Sequence, residues 1–429
     1  IGYASGAAAT VTYNFEDSDA ATIENTSTTF SNVANLTINS HSDNAATVTT
    51  DLTSLAGGTA LTSLTVTTGS DATDTIDTGA ITAENLITLT TTSDEANLTL
   101  DTLVSMTDLT TITHTGTGAG THNVGAIGGT TAADALTTYT VNMSGGAVAT
   151  LGAVTATDAD VATFDIDLTG AYGISSLGAF AADNITSFDI DAGADGTSFT
   201  IASFDIDETV GDITITANEN FDITNGLAVG TSVGNVTIVA TDTFDIGDTA
   251  NFIDEATTVG NISITASGSG DGVHVGELDE ATTVGNITVV ANDDVQMDGA
   301  DAATTVGDIN VTVAATKTAN LITDTAFGAA SSTVGSITGS GGGTFNLTIG
   351  AATTVGNVDL SAMTTASTTA ITLNNNTTTG ITATLGDGAD TFVGTGGADN
   401  ITASLGADTI TAGSGDDVIT LTEAVGSKS

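Results

Sequence analysis

The chain has 429 residues, with 52 acidic residues against two lysines and no arginine, and a formal net charge of −50. Nucleic acids and anionic membrane surfaces are bound mainly through Lys and Arg, so neither is expected as a partner, and cations are favoured instead. The absence of Cys excludes disulfides and thiolate metal sites, and no run approaches the ~20 apolar residues that a membrane-spanning helix needs.

The composition favours strands throughout. Hydrophobic residues make up 40% of the chain, which is enough for a core, while Val, Ile and Thr are abundant and Pro and Trp are absent. The chain begins at Ile1, without Met and without a basic signal-peptide region, which predicts a mature or trimmed product.

One repeat organises the chain from Val33 onwards. Its pattern, apolar-x-x-apolar-polar-apolar, begins fourteen times between Val33 and Val355, at intervals of 21 to 28 residues and about 25 on average. From Val210 the copies also carry a Val-Gly signature, as in Val259-Gly-Asn-Ile262-Ser-Ile264. A period of this length is typical of one turn of a solenoid.

The alternation within each repeat predicts which side chains face inward. The sixth position is apolar except at Thr91, His114 and Gly339, the fifth is Thr, Ser, Asn or Asp, and strand geometry places the fourth and sixth on one face. The fourth position is apolar in all copies: Leu36, Leu64, Leu89, Ile112, Tyr139, Phe164, Phe188, Ile213, Val236, Ile262, Ile287, Ile309, Ile337 and Val358.

These patterns predict an all-β fold, a right-handed parallel β-solenoid with about 25 residues per coil, that forms a rod over residues 1–366. A second aligned strand is predicted at Phe221–Ile223, Phe244–Ile246 and Val295–Met297, so each coil has more than one face.

Aspartates recur at equivalent positions of neighbouring coils and predict acidic ladders. Stacked carboxylates repel one another unless a cation bridges them, so these ladders are candidate secondary calcium sites or subunit contacts, and a solvated acidic face is the alternative. The pairs are Asp165 with Asp189, Asp167 with Asp191, and Asp222 with Asp245.

A different period, of nine residues, covers residues 385 to 420 in four units, LGDGADTFV, GTGGADNIT, ASLGADTIT and AGSGDDVIT. Glycines allow tight turns and close backbone approach, aspartates supply hard oxygen ligands, and the large apolar residue is expected to fill the core. Three columns repeat every nine residues: Gly388, Gly397, Gly406 and Gly415; Asp390, Asp399, Asp408 and Asp417; Phe392, Ile401, Ile410 and Ile419.

The units resemble the RTX nonapeptide G-G-x-G-x-D-x-U-x, where U is a large apolar residue. The resemblance implies a β-roll over residues 367–429, with calcium held between successive turns by aspartate carboxylates and turn carbonyls. The first two glycines are only partly kept, with Thr395 and Ser404 among the replacements. The implied calcium-site residues are Gly386, Gly388, Asp390, Gly397, Asp399, Gly406, Asp408, Gly415 and Asp417.

Together, the repeat and the nonapeptides resemble RTX-type S-layer proteins of bacteria. The resemblance implies secretion, calcium-triggered folding outside the cell, and self-assembly into a lattice at the cell surface, with cell-surface polysaccharide bound through a region outside this sequence. Secreted adhesins and matrix filaments share these features, so a filament subunit or RTX adhesin is the alternative.

Two other functions fit the sequence less well. Polysaccharide lyases and epimerases also combine β-helices with RTX repeats, but they need Arg or Lys to neutralise a substrate carboxylate, and Lys317 stands alone. No catalytic residue is therefore predicted; His114 is expected in the core or at a coil edge, and His41, His122 and His274 in loops or at the surface. Outward Thr-x-Thr pairs, as at Thr65 and Thr67, resemble ice-binding solenoids, but aspartates interrupt the array.

Overall fold

The computed structural model describes most of the chain, and every structural statement below refers to that part. The described residues are 9–17, 21–25, 28–29, 32–42, 48–52, 54–56, 60–69, 75–104, 106–128, 131–146, 148–168, 175–193, 198–218, 220–246, 252–268, 272–278, 280–300, 302–321, 332–350, 352, 354–364, 367–373 and 378–422.

The fold is an all-β parallel β-solenoid, as predicted, with turns that lie about 24 residues apart. Side chains alternate between buried and half-buried along the strands, because successive residues of a strand point to opposite faces. Strands of successive turns pair in parallel and form three stacks, which we call stacks A, B and C. The chain divides into two compact units, Ile1–Ile223 and Thr224–Ser429.

In the first unit, three long strands bend around a corner and contribute to both stack C and stack A. Stack A contains Ala9–Asp17, Val33–Ser42, Ser63–Thr68, Thr88–Ser93, Thr111–Gly116, Thr138–Met143 and the long strands Val154–Leu168, Phe180–Ala192 and Phe204–Ala217. Stack B contains Ala21–Asn25, Val48–Leu52, Thr75–Asp77, Asn97–Leu100, Thr121–Val124, Val148–Leu151, Ser175–Leu177, Phe199–Ile201 and Phe221–Ile223. Stack C contains Thr28–Thr29, Ser54–Ala56, Ala80–Thr82 and Leu103–Val104.

In the second unit, the corner before stack A is a separate two-residue strand in most turns. These strands are Ser232–Val233, Thr258–Val259, Thr283–Val284, Thr305–Val306, Thr333–Val334 and Thr354–Val355. In this unit, stack A contains Val236–Ala240, Ile262–Ala266, Ile287–Ala291, Ile309–Val313, Ile337–Gly341, Val358–Met363, Thr382–Thr384, Asn400–Ala403 and Val418–Leu421. Stack B contains Phe244–Ile246, Val273–Val275, Val295–Met297, Thr318–Leu321, Thr344–Thr348, Thr368–Thr372, Ala389–Val393 and Thr409–Thr411, and stack C contains Leu227–Val229 and Ile253–Asp254.

The strand register confirms the predicted repeat. Within the first unit, Leu64 pairs with Leu89, which pairs with Ile112; within the second, Ile262 pairs with Ile287. All fourteen side chains at the fourth repeat position are buried. Burial of apolar surface along this inward row therefore stabilises the stacking of the turns.

In every copy but the one at Val334, asparagine or aspartate follows the Val-Gly signature, and it ties neighbouring turns together. The side-chain oxygen of Asn261 accepts a hydrogen bond from the main-chain N–H of Asn286 at 2.9 Å, and that of Asn286 accepts one from Asp308 at 2.8 Å. These side chains satisfy main-chain donors at the corner, where regular strand pairing is interrupted.

One expectation about the histidines is wrong. His122 was expected in a loop or at the surface, but it is fully buried in the strand Thr121–Val124, and His274 is partly buried in Val273–Val275. His114 is buried, as expected. His122 occupies an inward position of stack B, whose register the main repeat does not reveal.

Candidate calcium site

The coil shortens in the last part of the second unit. Val358 pairs with Ala383, 25 residues later, but Ala383 pairs with Ile401 and Ile401 with Ile419, each 18 residues later. One coil here therefore contains two nonapeptides. One of its two short strands belongs to stack A and the other to stack B.

The apolar column of the nonapeptides lies in the core only at its beginning. Phe392 and Ile401 are fully buried, Ile410 is partly buried, and Ile419 is 46% exposed. The expectation that this residue fills the core is confirmed for the first two units and is wrong for the fourth, because no described coil covers the strand that contains Ile419.

The glycine-aspartate segments form turns that alternate between two edges of the coil. The turns that precede Asp390 and Asp408 connect stack A to stack B and define edge 1. The turns that end at Asp399 and Asp417 connect stack B to stack A and define edge 2. The structure thus brings the four predicted aspartates together as two pairs rather than as one row.

At edge 1, the Asp390 carboxylate is buried and accepts several hydrogen bonds. Its Oδ2 accepts from the main-chain N–H of Gly386 at 3.0 Å, and its Oδ1 accepts from the Thr369 hydroxyl at 2.7 Å. The main-chain N–H of Asp390 donates to Oδ1 of Asp408, one coil later, at 3.2 Å. Successive aspartates are thereby aligned along the edge.

Edge 2 repeats this arrangement. Asp399 is buried, and its two carboxylate oxygens accept hydrogen bonds from the Thr395 hydroxyl at 2.6 Å and the Thr395 main-chain N–H at 2.7 Å. Oδ1 also accepts from the main-chain N–H of Ile381 at 3.0 Å. The N–H of Asp399 donates to Oδ1 of Asp417 at 2.9 Å.

Glycine is required where successive turns approach each other. Gly406 and Gly415 have φ angles of 126° and 127°, a region that side chains rarely adopt. A Cβ on Gly406 would collide with the carbonyl oxygen of Gly388, and a Cβ on Gly415 with that of Gly397. The predicted glycines therefore bring carbonyl oxygens next to the following turn.

The electrostatics of edge 1 favour a cation. Burial raises the pKa of the Asp390 carboxyl above its usual value, the hydrogen bond from Thr369 opposes that shift, and the charge of Asp408 adds to it. The raised pKa means that the negative charge at Asp390 is poorly compensated by the protein. A bound cation would supply that compensation.

The donor set at both edges fits calcium. Each edge offers two carboxylates from successive coils and glycine carbonyl oxygens, which are the hard oxygen ligands that Ca²⁺ prefers. Within the described residues, no group of three or more His, Asp or Glu side chains is arranged to hold a metal ion, so main-chain carbonyls would have to complete the coordination. The residues that could hold calcium are the aspartates and glycines of edge 1 and edge 2.

Two hydroxyl residues at the site were not identified from sequence. Thr395 occupies the place of a motif glycine, and its hydroxyl binds the Asp399 carboxylate. Thr369 precedes the nonapeptides and binds Asp390. Thr395 could have been found from the sequence, because it departs from the motif. No sequence signal marks Thr369, because its position opposite Asp390 depends on the register between coils.

The acidic ladder predicted in the first unit is present. Asp165 lies opposite Asp189, and Asp167 opposite Asp191, on the outward face of stack A. Burial, followed by the charges of Asp189 and Asp167, raises the pKa of Asp165. Both interpretations of this ladder, a secondary cation site and a solvated acidic face, stay predictions.

Comparison with known proteins identifies the nonapeptides. Residues 384–419 match the RTX calcium-binding nonapeptide repeat in four copies. A search of curated proteins and of solved structures returns no match. Within the described residues there is no helix long and apolar enough to cross a membrane. The repeats bind calcium and are typical of secreted, extracellular proteins, and together with the β-solenoid they support an RTX-type calcium-binding protein.

Proposed function

We propose that this chain is a structural extracellular protein that folds and self-assembles with calcium into a surface-layer lattice. The observation that carries the proposal is the last described strand, Val418–Leu421. It pairs in parallel with Asn400–Ala403, and Val418, Ile419 and Leu421 are 56%, 46% and 72% exposed. Such a strand is a template for pairing with another chain.

Calcium and assembly are linked through this strand. The turn that ends at Asp417 leads directly into Val418, so a cation bound at edge 2 would order the strand that is available for pairing. Without the cation, stacked aspartates would repel one another and loosen the strand. Calcium thus acts as a folding and assembly switch.

A subunit of an extracellular filament, or an RTX adhesin, is the second candidate. The same exposed strand supports it, because pairing end to end produces a filament, whereas calcium bridging between the sides of neighbouring molecules produces a sheet. The two candidates differ in the symmetry of the assembly.

We propose no catalytic role. An enzyme that acts on acidic polysaccharides needs a cation to neutralise the substrate carboxylate. The Lys317 ammonium is instead engaged by the buried carboxylate of Asp293. That ion pair joins two neighbouring turns and serves the fold.

Electron microscopy of the protein in calcium and in excess EGTA tests the proposal. We expect an ordered sheet in calcium and dispersal in EGTA. Ordered filaments in calcium would favour the second candidate, and unchanged morphology in EGTA would contradict the role of calcium.

A paired substitution at the two edges assigns the effect to the site. The variant with Asp399→Ala and Asp408→Ala removes one carboxylate from each edge, and should raise the calcium concentration needed for assembly at least about tenfold. Asp416→Ala, an exposed aspartate beside Asp417, is the matched control and should leave the midpoint unchanged. Equal midpoints for all three proteins would show that these aspartates are not ligands.

A further inference from the structure

A polar groove crosses four successive strands of stack B in the second unit. Its volume is about 500 Å³. With strands ~4.8 Å apart, the groove is about 14 Å long. It is lined by one row of residues at the strand starts, Thr243, Gly272, Asp294 and Thr318, and by a second row of outward-facing residues, Asp245, His274, Gln296 and Asn320.

His274 lies in the groove between two carboxylates. Its Nδ1 is 3.0 Å from Oδ1 of Asp245, and its Nε2 is 3.3 Å from Oδ2 of Asp298. Both ring nitrogens therefore lie within hydrogen-bond distance of a carboxylate, and 22% of the side chain stays exposed. The imidazole presents a flat, fixed surface to a ligand.

Gly272 opens the groove above this ring. Every other residue of its row has a side chain, whereas Gly272 leaves a gap between Thr243 and Asp294. Its φ of 102° suits glycine, and a Cβ would lie 2.9 Å from the carbonyl oxygen of Asp294. The backbone conformation of this turn therefore requires a glycine at the position that leaves the groove open.

The polar groups of the groove are held in place by the neighbouring turns. Oδ1 of Asn320 accepts a hydrogen bond from the amide of Asn346 at 2.6 Å, and Oδ1 of Asp294 accepts one from the main-chain N–H of Thr318 at 2.6 Å. Groups that are ordered before binding lose less entropy when a ligand arrives.

The charged groups in and beside the groove exclude two classes of ligand. The carboxylates of Asp245 and Asp298 bind opposite nitrogens of one imidazole, so they do not converge on a metal ion, and no three-residue metal group occurs in the described part of the chain. With Asp294, they also create a negative potential that repels anionic ligands.

We propose that this groove binds a short, neutral saccharide chain that lies across the four strands. Carboxylate, amide and hydroxyl groups in two parallel rows supply donors and acceptors for sugar hydroxyls, and the His274 ring face packs against the C–H face of a sugar ring. This assignment is independent of calcium-driven assembly, because the lining residues lie outside the nonapeptides.

Glycan binding by the calcium-loaded full chain tests the assignment. The probes are immobilised linear oligosaccharides of glucose, mannose, xylose and N-acetylglucosamine, with trigalacturonate as the anionic probe. We expect saturable binding of at least one neutral probe with Kd below about 1 mM and no binding of trigalacturonate. On saturation, hydrogen exchange should slow in Phe244–Ile246, Val273–Val275 and Val295–Met297.

Variants locate the site. His274→Ala removes the ring and Gln296→Ala removes one amide, and each should weaken binding about tenfold, whereas Thr288→Ala, exposed on stack A of the same unit, should not. Circular dichroism checks that each variant folds, and Gln296→Ala keeps the test valid if His274→Ala does not. The proposal is overturned by absence of saturable neutral binding, by equal binding of trigalacturonate, or by undiminished binding in a folded Gln296→Ala variant.

Discussion

At Thr91 the repeat departs from its apolar pattern, and the hydroxyl lies in the core between two imidazoles. The Thr91 oxygen is 2.7 Å from Nδ1 of His114 and 2.8 Å from Nε2 of His122, and the Ser93 hydroxyl is 3.0 Å from Nδ1 of His122. Among the described groups, Nε2 of His114 and the Tyr139 hydroxyl are buried without a hydrogen-bond partner. Protonating either imidazole would place a positive charge in the core, which is unfavourable.

The first unit should therefore lose stability in acid. Burial lowers the pKa of His122 from 6.5 to about 4, and burial together with the charge of His122 lowers the pKa of His114 well below its usual value. The folded state favours neutral imidazole, whereas the unfolded chain takes up protons below about pH 6.5. The free energy of unfolding is therefore highest above about pH 6.5 and falls as the pH decreases towards 4. For His122 the loss is about 3 kcal/mol.

Urea unfolding at pH 7.5, 5.5 and 4.5, followed by hydrogen exchange in the strands of the first unit, measures this loss. A variant with His114→Leu and His122→Leu cannot protonate in the core, so its stability should depend less on pH. An equally steep pH dependence in that variant would show that the two histidines are not responsible.

The glycines of the nonapeptides lead to a second prediction at the residue scale. Gly406→Ala places a Cβ against the Gly388 carbonyl and forces alanine to adopt a φ of 126°, which should destabilise edge 1 by about 1–3 kcal/mol. Calcium titration followed by circular dichroism should then show a raised midpoint. Ala407→Ser, at an exposed neighbouring position, is the control; a raised midpoint in both variants would indicate a general effect of substitution.

At the scale of the strand, the acidic ladder of stack A places like charges opposite each other. Asp165 and Asp189 are register partners, and the pKa values of Asp165 and Asp191 are raised, first by burial and then by neighbouring aspartates. Neutral carboxyls are thus favoured in the fold, so the ladder destabilises the first unit at neutral pH and destabilises it less in acid.

Asp165→Asn removes one charge from the ladder and should raise the thermal midpoint of the calcium-free protein at low ionic strength. Added NaCl should shrink the difference because it screens the repulsion. The same variant distinguishes the two interpretations of the ladder: if the ladder binds calcium, Asp165→Asn will lower the midpoint in calcium instead. Ser187→Ala, exposed and uncharged, controls for substitution on the same sheet.

At the scale of the whole molecule, sensitivity to calcium should be local. The 18-residue coils depend on stacked aspartates at both edges, whereas the longer coils are stabilised by apolar rows such as Leu64, Leu89 and Ile112. Chelation should therefore unfold the C-terminal segment and leave most of the solenoid folded.

Hydrogen exchange in EGTA and in calcium tests this difference. We expect faster exchange in EGTA within Asn400–Ala403, Thr409–Thr411 and Val418–Leu421, and unchanged exchange within Thr88–Ser93 and Thr111–Gly116. Uniform acceleration in every strand would contradict local sensitivity, and no change anywhere would contradict the role of calcium.

The sequence by itself determined the fold class, the inward row and calcium binding. The fourth repeat position is apolar in every copy, and a period-two pattern repeated at solenoid spacing can bury its apolar residues only by stacking turns. The nine-residue columns likewise predict calcium binding, because glycine allows tight turns and aspartate supplies hard oxygen ligands.

Only the tertiary structure decided which residues oppose one another. The intervals between turns vary, so the partner of a residue outside the main repeat depends on how each connecting segment closes. For this reason His122 lies in the core, Thr369 faces Asp390, and the aspartates form two edges. Local alternation sets the face of a residue, whereas the register between coils sets its neighbours.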